Sequence, residues 1–298
     1  MKTPELSVVV PTIDYLGRKM QIDAIIAIIC AKSIAESLVE VIVVDNNPSA
    51  NGYGLEDSGT FVKIIREPLV GLDRARNSGV QSATGNIVAF LDDDIVPART
   101  WVASLIYAHK SPGVLCVGGP VIIKDWDEIV LPVWFSDYFL RFVVPPKFPQ
   151  SAGSIVKPYY LIGANMSFKR TVFTDYGLFD INLDRRGSRL LSGGDVEFMM
   201  RLKPGSIFYE PLAAVSTKIT QQRLTRLYFI RRIFYQAVSD ARIIEKRGLE
   251  QFYDQPELFI SGFFLSLLFK TLKDGLFFQA LCMIIRIGVF KITSIFHL

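Results

Sequence analysis

Apolar residues in this chain fall into short β-branched runs separated by stretches of helical spacing. LSVVVPT (6–12), VEVIVVDN (39–46), FVKIIRE (61–67) and NIVAFLDDD (86–94) read as strands, most of them buried. Between them, residues 18–37, 72–84 and 98–109 carry helical patterns. This alternation predicts an α/β fold, with a Rossmann-like, mostly parallel sheet flanked by helices. Ligands of such sheets bind beyond the carboxyl ends of the strands. Those ends here carry Pro11-Thr12, Asp45-Asn46-Asn47 and Asp92-Asp93-Asp94.

Residues 121–160 interrupt the pattern, with prolines set among Trp126, Trp134, Phe135, Tyr138, Phe139, Phe148, Tyr159 and Tyr160. A loop-rich stretch of this kind is expected to cover a site rather than to form a separate domain. LIGANMSFKRTVF (161–173) reads as a strand running into a helix, and GGDVEFMMRL (193–202) as a loop opening a helix. Near Thr220 the alternation ends and a long helical stretch follows, from about Arg223 to Arg247.

Two apolar runs, 258–269 and 276–296, close the chain. The first is shorter than the roughly 20 residues a bilayer span needs. The second is long enough but contains Arg286 and Lys291, and a central charge costs about 2.5–3.5 kcal/mol on insertion scales. Both suit helices lying in a membrane interface with their basic residues reaching the headgroups; a span or a protein contact is the alternative. The expected organisation is a catalytic domain over 1–220, a basic helical segment over 221–257 and apolar, membrane-associated helices over 258–298.

Composition narrows the class. Half of the 298 residues are apolar and 21% are charged, which excludes a disordered chain, a coiled-coil rod and a disulfide scaffold. Cys30, Cys116 and Cys282 are odd in number and far apart, so neither a disulfide framework nor a zinc ribbon is expected, and a reducing compartment is. The opening MKTPELSVVVPT carries no secretory pattern. His109 and His297 are the only histidines, which excludes histidine-rich metal sites and most histidine-based triads.

The net charge of +4 is unevenly placed: residues 221–247 hold Arg223, Arg226, Arg231, Arg232, Arg242, Lys246 and Arg247 against Asp240 and Glu245. A basic stretch before an apolar tail predicts contact with anionic headgroups, at the cytoplasmic face of a membrane. No nucleic-acid motif accompanies it, so no nucleic-acid partner is expected.

The candidate chemistry begins with three consecutive aspartates after a strand. Like charges this close raise one another's pKa, and a divalent cation relieves them; hard oxygen ligands suit Mn2+ or Mg2+. The alternative is a solvated turn whose aspartates cap the helix starting near Ala98. Asp45-Asn46-Asn47-Pro48 likewise suits a plain Asx turn. No Walker A loop and no dinucleotide glycine fingerprint is present, so phosphates would be held mainly through the metal.

Taken together, PT (11–12), VVDNN (43–47), GLDRARNSG (71–79), ATGNIVAFLDDD (83–94), GANMSFKR (163–170) and GGDVEF (193–198) resemble family 2 glycosyltransferases of the GT-A fold, in the family's order and spacing over about residues 6–225. The resemblance implies an inverting transferase that moves a sugar from a nucleotide-sugar donor to a glycan or lipid-linked acceptor. Asp45 would contact the nucleoside, Pro11 and Thr12 would border the base, and Arg76 and Asn77 would lie near the nucleotide; a surface salt bridge is the alternative for Arg76. Asp94 would ligate the cation with help from Asp92, and Asp93 would meet ribose or sugar. Asp195 would be the general base, with an N-cap as its alternative. Asn165, Gly194 and Glu197 would lie on the acceptor side, although a strand-end turn suits Asn165 and a first-turn charge suits Glu197.

Two departures from the family pattern stand out: Gly194 where many members have Glu, and Thr217 where many have a histidine that serves as a further metal ligand. They leave open a catalytically inactive, nucleotide-sugar-binding scaffold of the same fold. A nucleotidyltransferase is a weaker alternative, because no basic Gly-rich signature follows the first strand.

Overall fold

The computed structural model describes residues 3–30, 38–49, 61–146, 148, 150–155, 160–187, 189–248, 261–273 and 276–296. Its first half runs β1 (Leu6–Thr12), α1 (Tyr15–Cys30), β2 (Val39–Asp45), β3 (Val62–Arg66), α2 (Leu72–Ser82), β4 (Ile87–Leu91), β5 (Val96–Pro97), α3 (Trp101–Ala108), β6 (Cys116–Gly118) and β7 (Val121–Ile123). Its second half adds α4 (Asp137–Leu140), β8 (Gly153–Ser154), β9 (Asn165–Lys169), α5 (Thr171–Asp175), α6 (Gly194–Met200), β10 (Ile207–Tyr209), β11 (Val215–Thr217), α7 (Arg226–Arg247), α8 (Ser261–Lys273) and α9 (Phe277–Phe296). Part of the helix expected over 18–37 and the first residues of the run 258–269 lie outside the described residues, as does Tyr159.

The main sheet has the order β3-β2-β1-β4-β9-β6-β10-β8. Its β3-β2-β1-β4 portion is parallel, as the β-branched runs predict, and β9 enters antiparallel beside β4. Buried strand residues alternate between the two faces. Val8 and Val10 pack with Ile22, Ile25 and Trp101 on one side, whereas Val9, Ile42 and Phe90 meet Ala75, Phe168 and Phe198 on the other. A small second sheet, β5-β11-β7, sits beyond β4 in the chain.

The antiparallel entry of β9 decides where the site forms. Because Leu91 pairs with Asn165, the carboxyl end of β4 lies beside the start of β9. The ends of β1 and β2 join them: the Asn46 amide donates to the Thr12 carbonyl at 2.8 Å, and the Thr12 hydroxyl donates to Asp93 Oδ2 at 2.6 Å.

Helices α7 and α9 pack together, and one buried ion pair joins them: Arg286 Nη2 to Asp240 Oδ2 at 3.1 Å, both side chains 2% exposed. Arg286 therefore does not reach a headgroup, as the tail pattern predicted; it faces inward because its helical register puts it with Met283, Ile287 and Phe290 on the buried face. The opposite face of α9 exposes Phe277, Leu281, Ile284, Ile292 and Ile295, and α8 exposes Leu265, Phe269 and Leu272. The aromatic region contributes to this end of the molecule. Trp134, Phe135 and Phe139 cluster around Phe229 of α7, and Trp134 meets Phe278 of α9 edge-on, with centroids 4.9 Å apart.

Candidate active site

A cavity of about 430 Å³ opens at the strand ends, with Asp92, Asp94 and Asp195 all in its wall. The first two follow β4 directly. They do not cap the next helix, whose N-cap is Thr100 with no side-chain bond. Asp195 lies in the first turn of α6, and Gly193 is the N-cap there, which removes the N-cap alternative for Asp195. Its Oδ2 accepts the Gly163 N–H at 2.8 Å and its Oδ1 accepts the Val196 N–H at 2.9 Å. The start of β9 thus fixes this carboxylate from across the cleft.

Gly163 permits that approach. A Cβ there would stand 2.7 Å from both Arg76 Nη2 and Asp195 Oδ2, closer than real contacts allow. Arg76 is buried, not a surface ion pair: Nη1 holds Asp73 Oδ1 at 2.8 Å, and Nη2 stands 3.8 Å from Asp92 Oδ1. Burial pushes the Asp92 carboxyl up; Arg76 and, less strongly, Arg185 pull it back, while Asp94 and Asp93 push it further. Asp93 is also raised by burial, against the Thr12 hydrogen bond and Arg18. Asp94 has Arg223 Nη2 at 3.8 Å, and its backbone carbonyl accepts from Thr217 Oγ1 at 3.4 Å.

Other expected site residues lie outside the lining of this cavity. Asp45 is buried at the end of β2 and accepts the Asn47 N–H at 3.1 Å, an Asx turn. Its neighbour Asn46 holds Glu67, Leu69 and Gly71 of the β3–α2 loop. Pro11 lies within β1, paired with Val44. Asn77 donates to the Phe179 carbonyl and accepts its N–H, both at 3.0 Å, so its amide fastens α2 rather than facing a nucleotide.

The residues expected on the acceptor side are engaged within the fold. Asn165 is 0% exposed; it accepts from Trp101 Nε1 at 2.8 Å and donates to the Ala213 and Pro120 carbonyls, so its amide is engaged in the core. Glu197 is also buried, held by Arg201 and by Arg247 of α7, and so clamps α6 to α7. At Gly194 a Cβ would stand 2.1 Å from Asp73 Oδ2, so the glycine admits this carboxyl instead of contacting an acceptor. Asp73 is itself raised by burial, against the pull of Arg76.

Several cavity residues escaped the sequence. Arg232 and Gln236 of α7, Ser192 and Arg185 all line it, so the wall draws on both sides of the boundary expected at 220. A signal existed for the α7 pair: Phe229, Arg232, Ile233, Gln236 and Asp240 recur at helical intervals beside buried positions. Asp184, in the 178–185 segment, accepts the Asp73 and Arg74 N–H groups and so caps α2 from a distance; nothing local in the sequence marks it.

The donor set fits a divalent cation. Asp92 and Asp94 present hard carboxylate oxygens to one cavity. No group of three His, Cys, Asp or Glu residues assembles among the described residues. Mg2+ and Mn2+ sites commonly use one or two carboxylates with substrate phosphates and water completing the shell, and the side chain at 217 is a threonine that offers no imidazole.

The family profile described as Glycosyl transferase family 2 matches residues 7–177. Among curated proteins the chain is similar to the glucosyl-dolichyl phosphate glucuronosyltransferase of Haloferax volcanii, 27% identical over 229 residues that make up 74% of this chain and 70% of that protein. It is also similar to the succinoglycan biosynthesis protein ExoM of Rhizobium meliloti, 26% identical over 72% of this chain and 68% of that one. Among solved structures, the mannosyltransferase PcManGT of Pyrobaculum calidifontis, in complex with GDP-Man and Mn2+, superposes with a TM-score of 0.59 at 14% identity, covering 100% of this chain and 88% of the other.

Proposed function

The chain belongs to glycosyl transferase family 2, and on that premise we propose that it transfers a sugar from a nucleotide-sugar donor to a hydroxyl of a lipid-linked or glycan acceptor, with inversion at the anomeric carbon. The observation that carries this reading is the convergence of Asp92, Asp94 and Asp195 on one cavity at the strand ends. Asp195, held by the Gly163 N–H, takes the proton of the acceptor hydroxyl as that oxygen attacks the anomeric carbon and the nucleoside diphosphate leaves from the opposite face. A single base acting in a direct displacement gives inversion.

Asp92 and Asp94 would hold a divalent cation, Mn2+ or Mg2+, which when bound supplies charge neutralisation for the departing diphosphate. Arg76 keeps Asp92 in place from the buried side, and the nucleoside would lie at the β1 and β2 ends, by Thr12 and Asp45. Support for the lipid-linked acceptor comes from the dolichyl phosphate-linked substrate named for the Haloferax relative. The exposed apolar faces of α8 and α9, with exposed Lys270, Lys273 and Lys291, support seating on an anionic, cytoplasmic membrane face. By length and composition α9 could also cross a bilayer, but its buried Arg286–Asp240 pair favours packing on α7.

The test is a melting experiment on the purified chain with nucleoside diphosphates and nucleotide-sugars, with and without Mn2+, followed by transfer assays with the donor that binds. A ligand at a hundred times its Kd adds about 2.7 kcal/mol to native stability. One nucleotide should raise the melting temperature only with metal, and Asp94→Ala should abolish that shift. Asp195→Asn should retain the shift and lose on the order of 10²–10⁴ in transfer rate. Absence of any nucleotide shift at millimolar concentrations would leave the transferase assignment of this cavity without support; a shift without turnover would favour the scaffold.

A further inference from the structure

Two guanidinium groups line the cavity outside any close ion pair, with Asp92 attracting Arg185 and Asp240 and Asp195 attracting Arg232 only at longer range. Among the described residues, neither Arg185 nor Arg232 has a carboxylate within 4.0 Å, whereas Arg76 and Arg223 are matched to Asp92 and Asp94. Arg232 is fixed through its side chain and Arg185 through its backbone. The Arg185 carbonyl accepts the Leu72 N–H at 3.2 Å, next to the Asp184 cap on α2. Arg232 Nη1 donates to Ser192 Oγ at 3.0 Å. Ser192 in turn donates to Gln236 Oε1 at 2.9 Å, and Gln236 Nε2 donates to Asp240 Oδ1 at 2.7 Å, the carboxylate paired with Arg286. A chain of polar contacts therefore runs from α9 to the cavity wall and sets the guanidinium of Arg232.

Both side chains are half-buried in the wall of one cavity, where like charges repel. Burial, with Arg185 adding to it and Tyr228, Asp240 and Asp195 opposing it, lowers the Arg232 guanidinium to about 10. An anion between the two removes the repulsion, and the planar guanidinium fork matches the oxygens of a phosphate in bidentate fashion. Arg232 is tied to Ser192, three positions before Asp195, so the anion belongs beside the base. A donor diphosphate would be met instead by Arg223 and by the cation that Asp92 and Asp94 would hold.

We infer that Arg185 and Arg232 form a subsite for a phosphate ester carried by the acceptor, beside the hydroxyl that Asp195 deprotonates. This deepens the transferase reading and rests on it. The acceptor class is then a phosphate-bearing lipid or glycan, and a neutral sugar of the same size is a poor substrate.

The test is calorimetric titration of the full chain with octyl phosphate, inorganic phosphate and uncharged octyl glucoside, with and without saturating nucleoside diphosphate and Mn2+. Octyl phosphate should bind at least tenfold tighter than either of the others, and should still bind with the nucleotide present. Arg232→Gln and Arg185→Gln should each weaken it tenfold or more, with Arg232→Lys recovering part of the loss and the nucleotide melting shift unchanged in all three. Because the Arg185 side chain makes no hydrogen bond or close ion pair among the described residues, its variant keeps the test readable if Arg232→Gln is unstable. Displacement of octyl phosphate by the nucleotide would assign the pair to the donor. Inorganic phosphate binding as tightly as the ester would assign it to a free anion, and unchanged affinity in both variants would remove the site. Each of these overturns the inference. The titration without nucleotide reads the subsite even if no nucleotide binds, which separates this failure from that of the transferase reading.

Discussion

Glu40, at the opposite end of β2 from Asp45, shows how a single buried carboxylate ties the sheet together. It accepts from Ser7 at 2.6 Å, from the Thr84 N–H at 2.6 Å and hydroxyl at 2.8 Å, and from Lys63 at 2.8 Å. Burial alone would raise its carboxyl, but Lys63, Ser7 and Thr84 overrule it and bring it to about 2. A depressed folded-state pKa gives stability that is present above the unfolded value near 4.5 and is lost as pH falls toward 2. The full effect is on the order of 3 kcal/mol. Acid titration of Glu40→Gln followed by circular dichroism should show a lower plateau at neutral pH and a flatter loss between pH 4.5 and 2. His109 loses stability in a higher window: burial and Lys169 lower it to about 3, so folding weakens as pH drops below 6.5 with or without Glu40. A Glu40→Gln profile identical in shape to that of the parent would show that this carboxylate does not couple to folding.

Among the elements, α7 does more than its charge pattern indicates. Its basic residues divide: Arg247 turns inward to Glu197 and Arg232 to the cavity, while Arg286 of α9 meets Asp240. Removing one partner of a buried ion pair leaves an uncompensated charge and typically costs about 3–5 kcal/mol, whereas apolar replacement of both is often neutral. Asp240→Leu should therefore lower the melting temperature sharply, and Asp240→Leu with Arg286→Met should recover most of it. Additive losses in the double variant would show that the pair is not what joins α7 to α9. The helical spacing of α7 was readable, but which of its faces would be covered was not. That depends on α9 and on the aromatic segment around Trp134, both distant in sequence.

Across the molecule, exposed apolar residues gather on α8 and α9, with Val130 and Val133 exposed on the segment that leads into Trp134. Apolar area of this kind, with basic residues around it, fits an anionic bilayer surface. Flotation with vesicles should show the chain on anionic membranes and little on neutral ones, and Leu281→Asp with Ile284→Asp should release it. Equal recovery on both vesicle types would argue that the face is covered by protein instead.

The parallel strands, their helices and the carboxylates that follow β4 were legible along the chain, because β-branched runs and strand-end aspartates are local patterns. Family order added Asp195 and the fold type. Burial, by contrast, is a property of what packs against a residue. Asn165 pointed to an acceptor until β9 turned it onto Trp101 and Ala213, and Glu197 did so until Arg247 arrived from fifty residues away. Arg286 read as a headgroup ligand until α9 laid it on Asp240. Sequence periodicity states which residues share a face; only the assembled fold decides whether that face meets water, a partner charge or the cleft.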